Sequence, residues 1–356
     1  MWRIFMLIAI TNDSHFGVRG DNLNMMRYFK KFYDEVFFPT IDAQGISTVI
    51  HLGDIVDRRK YVNFNILHEF RECFVAPLAT RACEVHAIIG NHDSFYKNTT
   101  KVNAFSVLFR DNDMFTVHTD PIVKNFDGLD IGLLPWITSE NESIAKRFIK
   151  KCKAQILMGH LEINGFEFIP GVFSREGFKQ SYFTRFDMVL SGHYHRKMHQ
   201  GNIDYLGAPY EMTWADYADR RGFHIFDTNT RKLYFIENPH KVFKKITYDD
   251  TNETYENFDA SEFKECYVKV VVINKTNPFY FENFLDKLYD ADLSDLKVVE
   301  DLDYEMIDEE SLDLGKSTQE LLNEYVDGLN ISEDKRRIKK ILSELYIEAL
   351  DTEMLI

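Results

Sequence analysis

Short apolar runs alternate with amphipathic stretches through the first half of the chain, the pattern of βα units feeding one or two sheets. Residues 4–10 lead into Asn12-Asp13-Ser14-His15, residues 48–52 into Gly53-Asp54, and residues 85–89 into Gly90-Asn91-His92-Asp93. The arrangement recurs where residues 155–158 precede Gly159-His160 and residues 188–190 precede Ser191-Gly192-His193-Tyr194-His195. Five strands are therefore expected to end in polar clusters. Strand ends of an α/β sheet converge on one edge, which is where ligand sites are built.

The texture changes after Lys245. A polar, acidic stretch over 249–265 precedes an expected strand at 267–273, a helix at 281–289 and a further strand at 296–299. This pattern predicts residues 1–245 as one large α/β domain and 246–300 as a small second α/β domain. Residues 301–316 read as an acid-rich linker. Two helices are signalled in 317–352: Ser317 and Glu320 form a capping box, and Ser332 caps a second helix with Glu333 and Asp334 in its first turn. That second helix places Ile338, Ile341, Leu342, Leu345 and Tyr346 on one stripe, opposite Arg336, Lys339 and Lys340. The stripe is free either to pack on this chain or to dock elsewhere.

With 356 residues, 45% of them hydrophobic and 14% aromatic, the chain can fill more than one core. The net charge of -15 speaks against a nucleic-acid partner until it is divided along the chain. Residues 1–245 hold 31 Lys+Arg against 28 Asp+Glu, and residues 246–356 hold 11 against 29. The acidity thus belongs to the tail. Cys73, Cys83, Cys152 and Cys266 show no C-x-x-C spacing, which fits reduced thiols in a cytoplasmic protein. No stretch approaches the roughly 20 apolar residues that cross a bilayer, so no membrane association is expected.

Holding two cations against a phosphate ester takes hard carboxylate oxygens, neutral imidazoles and one carboxylate able to bridge. The ordered set D-x-H, G-D, G-N-H-D, G-H and G-H-x-H supplies that inventory at the five strand ends. Together these motifs resemble the calcineurin-like metallophosphoesterases. The resemblance implies a four-layer α-β-β-α sandwich. It also implies that Asp13, His15, Asp54 and His195 ligate one divalent ion and Asp54, Asn91, His160 and His193 the other. By the same resemblance the ions are manganese, His92 assists catalysis, and Asp93 orients it.

Gly53-Asp54-Ile55-Val56-Asp57-Arg58 partly matches the G-D-x-V-D-R signature of serine/threonine protein phosphatases. The match breaks at Arg59, at Asp93 and in the first motif. Instead, Gly159 to Phe166, Gly192 to His195 and Tyr205 to Trp214 resemble the SbcD-like DNA nucleases, among them the nuclease subunits of T-even phage recombination endonucleases. That likeness implies a dimeric exonuclease and endonuclease of recombination and double-strand-break repair, whose small second domain caps the site. It further implies that the C-terminal helices dock on a coiled-coil, SbcC-like ATPase, in the host cytoplasm if the chain is phage-encoded. Arg58, Arg59, Lys60, Lys97 and Arg196 lie near the motifs and are the candidate DNA contacts. Nearby Phe16, Tyr61, Phe95, Tyr96 and Tyr194 are candidates for stacking bases. Two other readings stay open: a phosphatase or small-molecule phosphodiesterase, which would turn over generic esters without binding DNA, and a non-enzymatic scaffold for the ATPase.

Overall fold

The computed structural model describes residues 6–109, 112–169, 172–300, 326 and 335–342. Two six-stranded sheets face each other. The first runs in the order Leu233–Glu237, Gly222–Asp227, Leu7–Thr11, Thr48–His51, Glu84–Ile88, Phe115–His118. Its last four strands are parallel. The second runs Met198–Gln200, Ile203–Tyr205, Met188–Gly192, Ile156–His160, Leu129–Leu134, Ile122–Phe126, with four central parallel strands.

Side chains alternate across each strand, and here both faces are covered, so the strands read as unbroken apolar runs. Ile8 and Ile10 point into the space between the sheets, where they meet Ile50, Ile88, Ile131, Leu133, Ile156, Met158 and Leu190. Ala9, Val49 and Val85 point the other way, against an aromatic helical layer containing Phe29, Phe32, Tyr33, Phe37 and Phe74. Leu157 and Val189 face an opposite outer layer with Ala145 and Ile149 of the helix Glu142–Lys151. The outcome is the expected α-β-β-α sandwich.

The aromatic layer comes from two long helical stretches, Leu23–Gln44 and Phe64–Thr80, started by the side chains of Asn22 and Asn63. Each contains one widened turn, closed by Phe38 N–H to the Tyr33 carbonyl and by Ala76 N–H to the Arg71 carbonyl. Pro39 and Pro77 follow at once. A proline ring clashes with the carbonyl four residues back, and a wider turn relieves that clash without ending the helix.

A third sheet of three parallel strands, Phe243–Asp249, Tyr267–Asn274 and Asp295–Val299, carries the helix Pro278–Tyr289. Its own core joins Tyr248, Val268, Val270, Val272, Phe281, Phe284 and Leu288. The first of these strands crosses residue 245, the boundary drawn from sequence. Residues 243–245 therefore belong to the small sheet. That sheet meets the sandwich through Glu211, whose buried carboxylate accepts the N–H groups of Val242 and Phe243 at 2.8 and 3.1 Å. Arg19 also lies over the rings of Phe243 and Tyr267.

Contacts divide the chain into residues 1–306 and 307–356. In the second unit residues 335–342 are helical, with Ile341 exposed and Ile338 and Leu342 partly buried. Leu345, Tyr346 and the helix expected from Ser317 lie outside the described residues, apart from buried, helical Val326. Among the described residues no helix is long and apolar enough to cross a membrane, and all four cysteines are free and buried.

Candidate active site

Every polar cluster expected at a strand end arrives at one place. The loops are zipped to one another by backbone bonds: Asp13 N–H to the Gly53 carbonyl, His15 N–H to that of Asp54, and Leu52 N–H to that of Thr11. This zipper bends the chain into the left-handed region at Asp13, His15, Asp54 and His193, a conformation that side-chain-bearing residues adopt only when their surroundings impose it. Gly90 shows how tight the junction is. A Cβ there would stand 2.1 Å from Asp54 Oδ1.

Three groups of possible ligand atoms result among the described residues, each gathered within 4.8 Å: Asp13, His15 and His195; Asp54, His160 and His193; and His15, Asp57 and His92, which shares His15 with the first. His15 Nε2 lies 3.7 Å from Asp54 Oδ2, so Asp54 stands between the first two groups. Asn91 Oδ1 joins the second group, 2.9 Å from His160 Nε2 and 3.0 Å from His193 Nδ1.

Proton bookkeeping tests whether these atoms suit cations. His160 Nδ1 is 2.7 Å from the Leu52 carbonyl, which only accepts, so Nδ1 carries the hydrogen and Nε2 presents a lone pair. That lone pair faces two further acceptors, Asn91 Oδ1 and, at 3.3 Å, Asp54 Oδ2. Acceptors converging on the second nitrogen of an imidazole are satisfied either by a proton on that nitrogen or by a cation. In the first group His15 Nε2 and His195 Nε2 stand 3.1 Å apart, while His15 Nδ1 faces Asp57 Oδ1 at 3.4 Å. The residues present therefore fit two cations.

The electrostatics show that the same points attract positive charge. Burial pushes Asp54 up, yet the charges of His160, His92 and His15 win and hold it well below the usual carboxylate range. Burial and Asp54 raise Asp13, opposed by His160 and His15. Burial pulls His15 and His160 down, but Asp57 and Asp54 raise the first, and Asp54 and Asp13 the second, to about 9. Burial and His160 press His193 to about 3, and burial and His15 press His195 well below its ordinary value. The carboxylates thus draw positive charge into the site, while two imidazoles stay neutral, as a ligand must be.

His92 sits beside His15 with ring centroids 4.7 Å apart. Its Nδ1 bonds the Asp57 backbone carbonyl at 2.6 Å, which leaves Nε2 as the free end. Asp93 has a different job from the one expected. Both its carboxylate oxygens are taken by backbone N–H groups, those of Asp54 at 2.7 Å, Ile55 at 2.9 Å and Gly90 at 2.8 Å. Asp57, not Asp93, orients the His92 ring, and Asp93 fixes the backbone beneath Asp54. Asp57 went unassigned in the sequence, although Gly53-Asp54-Ile55-Val56-Asp57 carries its spacing.

The candidate DNA contacts divide. Arg58 pairs with Asp21 at 2.8 Å and Arg196 with Glu167 at 3.7 Å. Arg59 is half-buried, and burial lowers its guanidinium against the pull of Asp54 and Asp93. Lys60 and Lys97 are exposed. Of the candidate stacking rings, Phe16 and Tyr194 are core residues, whereas Tyr61, Phe95 and Tyr96 face solvent.

The calcineurin-like phosphoesterase family matches residues 6–197, the span that contains all seven of these ligand candidates. The chain belongs to that family. Phosphoesterases of this kind hold a dinuclear metal site, and the gathered groups here are able to bind metal. The chain is 31% identical over 352 residues to exonuclease subunit 1 of Enterobacteria phage T4, covering 97% of this phosphoesterase and 99% of that relative. Among solved structures, an archaeal phosphodiesterase is 17% identical at a TM-score of 0.33, covering 65% of this chain and 100% of its own. A purple acid phosphatase from yellow lupin seeds is 14% identical at 0.37, over 66% and 53%. At those scores neither structure bears on the assignment.

Proposed function

We propose that this phosphoesterase is a DNA exonuclease and endonuclease subunit that hydrolyses phosphodiester bonds with two manganese ions, in recombination and double-strand-break processing. The observation that carries the reading is 31% identity to an exonuclease subunit over 97% of the chain. It is joined to a site whose acceptors converge on two cation positions. Asp13, His15, Asp54 and His195 hold one ion, and Asp54, Asn91, His160 and His193 the other. The pair supplies Lewis acidity toward the phosphate and a nucleophile at neutral pH.

The remaining work belongs to the chain. His92, with Nδ1 committed to Asp57, presents Nε2 to the leaving oxygen and delivers a proton there when doubly protonated. Asp93 holds Asp54, Ile55 and Gly90 in register, so the bridging carboxylate need not reorganise during the reaction. Lys60 and Lys97, exposed beside the site, approach DNA phosphates, with Arg58, Arg59 and Arg196 next to them. The subunit acts as a homodimer with an SbcC-like ATPase, met by the stripe that begins at Ile338, Ile341 and Leu342.

The test is to incubate the purified chain with end-labelled single- and double-stranded DNA, with manganese and with a chelator. Manganese-dependent loss of label supports the reading. Turnover confined to aryl phosphomonoesters or free nucleotides overturns it in favour of a phosphatase.

A further inference from the structure

Arg221 is the largest fully buried side chain among the described residues. A buried guanidinium is expensive unless paired. The pairing is not even complete, because its Nε–H finds no acceptor. Its other contacts are specific. Nη2 donates to Asp216 Oδ1 at 2.7 Å and forms an ion pair with Asp219 Oδ2 at 3.1 Å without a hydrogen bond, and Nη1 donates to the backbone carbonyl of His195.

Asp216 is itself anchored, its Oδ2 accepting Met212 N–H at 2.7 Å and Thr213 N–H at 2.9 Å. The His195 carbonyl is held from a second side by Ala208 N–H at 2.8 Å, where Gly207 leaves no room for a side chain: a Cβ would lie 2.9 Å from that oxygen. The other ligand candidates are fixed elsewhere. His160 leans on the Leu52 carbonyl, and His193 N–H on the Asp13 carboxylate at 3.1 Å.

We propose that Arg221 is a positioning residue for His195, selective for the cation site formed by Asp13, His15 and His195. Anchored by two carboxylates, its rigid fork fixes the His195 backbone so that the imidazole stays 3.1 Å from that of His15. The site formed by Asp54, Asn91, His160 and His193 receives nothing from it. The inference rests on the ligand reading given above, and the asymmetry between the sites makes the two separable.

The test is manganese titration of the full chain by calorimetry and by electron paramagnetic resonance, with His195→Ala marking which site is which. Arg221→Lys keeps the charge for Asp216 and Asp219 but cannot also reach the carbonyl. It should weaken the site lost in His195→Ala by about 10- to 100-fold and leave the other unchanged. Excess manganese should then restore kcat, with KM for DNA unmoved. Gly207→Ala displaces the same carbonyl with Arg221 intact and should reproduce the one-site loss, so it decides the matter if the lysine variant fails to fold in a chelator-treated melt. Two sites of wild-type affinity in either folded variant, or equal weakening of both, overturns the role of Arg221. A wild-type chain binding fewer than two ions overturns the ligand reading beneath it instead.

Discussion

The sandwich and the small three-stranded sheet are both built on parallel strands, yet they spend their irregular backbone differently. In the sandwich, four of the ten described left-handed residues other than glycine, Asp13, His15, Asp54 and His193, are themselves candidate ligands. In the small sheet the left-handed residues are Tyr255, Glu265 and Asp292, which stand in loops, and none belongs to a gathered ligand group among the described residues. Strained conformations persist only where the surroundings over-determine them. Loop-to-loop bonds provide that at one edge of the sandwich.

A pair of aspartates sharpens the contrast. Asp93 and Asp250 each accept backbone N–H groups, three and two respectively. Burial and the charge of Asp54 raise Asp93 to about 7 against those donors. Burial also raises Asp250, but the N–H groups of Thr276 and Asn277 prevail and lower it. The same bracket thus carries a charge cluster in one region and, in the other, fixes the turn that leads into the helix Pro278–Tyr289. Among the described residues, the gathered ligand groups sit where strand ends of the sandwich converge, and the small sheet holds none of them.

The strongest way to break this comparison is Asp54→Asn. Cleavage should fall by roughly 10³-fold or more, with both manganese affinities weakened; wild-type turnover would remove the bridging role. Next, Phe284→Ala empties the middle of the small core, between Tyr248 and Phe258, at a cost of about 3–5 kcal/mol. Hydrolysis of a small aryl phosphodiester should survive it; if that activity vanishes with the small sheet's fold, the sheet belongs to the active site.

His92→Asn should slow DNA cleavage by about 10²-fold while calorimetry still counts two ions. An ion lost with the ring would make His92 a ligand instead. The smallest effect is a pH dependence in the sandwich wall. Burial, helped by Lys197, lowers His224 to about 3, so folding favours its neutral form. The stabilisation is complete above the free value near 6.5 and drains away as pH falls toward 3. Between pH 7 and pH 5 the native chain should lose about 2 kcal/mol through this residue. Denaturant melts of His224→Gln should lack that part of the slope, and parallel slopes would deny it.

The five ligand-bearing strand ends were legible because unbroken apolar runs followed at once by polar clusters are local signals. What the sequence hid was non-local. Asp57 lies in plain spacing after Asp54, but nothing in the chain says that its carboxylate faces His15 while its carbonyl takes His92. Arg58 and Arg196 look available for phosphates until folding brings Asp21 and Glu167 beside them. The strand Phe243–Asp249 pairs with Tyr267–Asn274 across a long connection, and parallel pairing of that kind leaves no mark near residue 245. Arg221, Asp216 and His195 form no motif at all.

The ligand candidates come from both sheets: Asp13, His15, Asp54 and Asn91 from loops of the first, His160, His193 and His195 from the second. Each ion captured there staples the two halves of the sandwich together. Unfolding scatters the staple's prongs, so ligand binding adds to folding stability in proportion to the logarithm of ion concentration over its dissociation constant. A melting curve run across a manganese series would therefore read the occupancy of this centre even in a variant that has lost all power to cut.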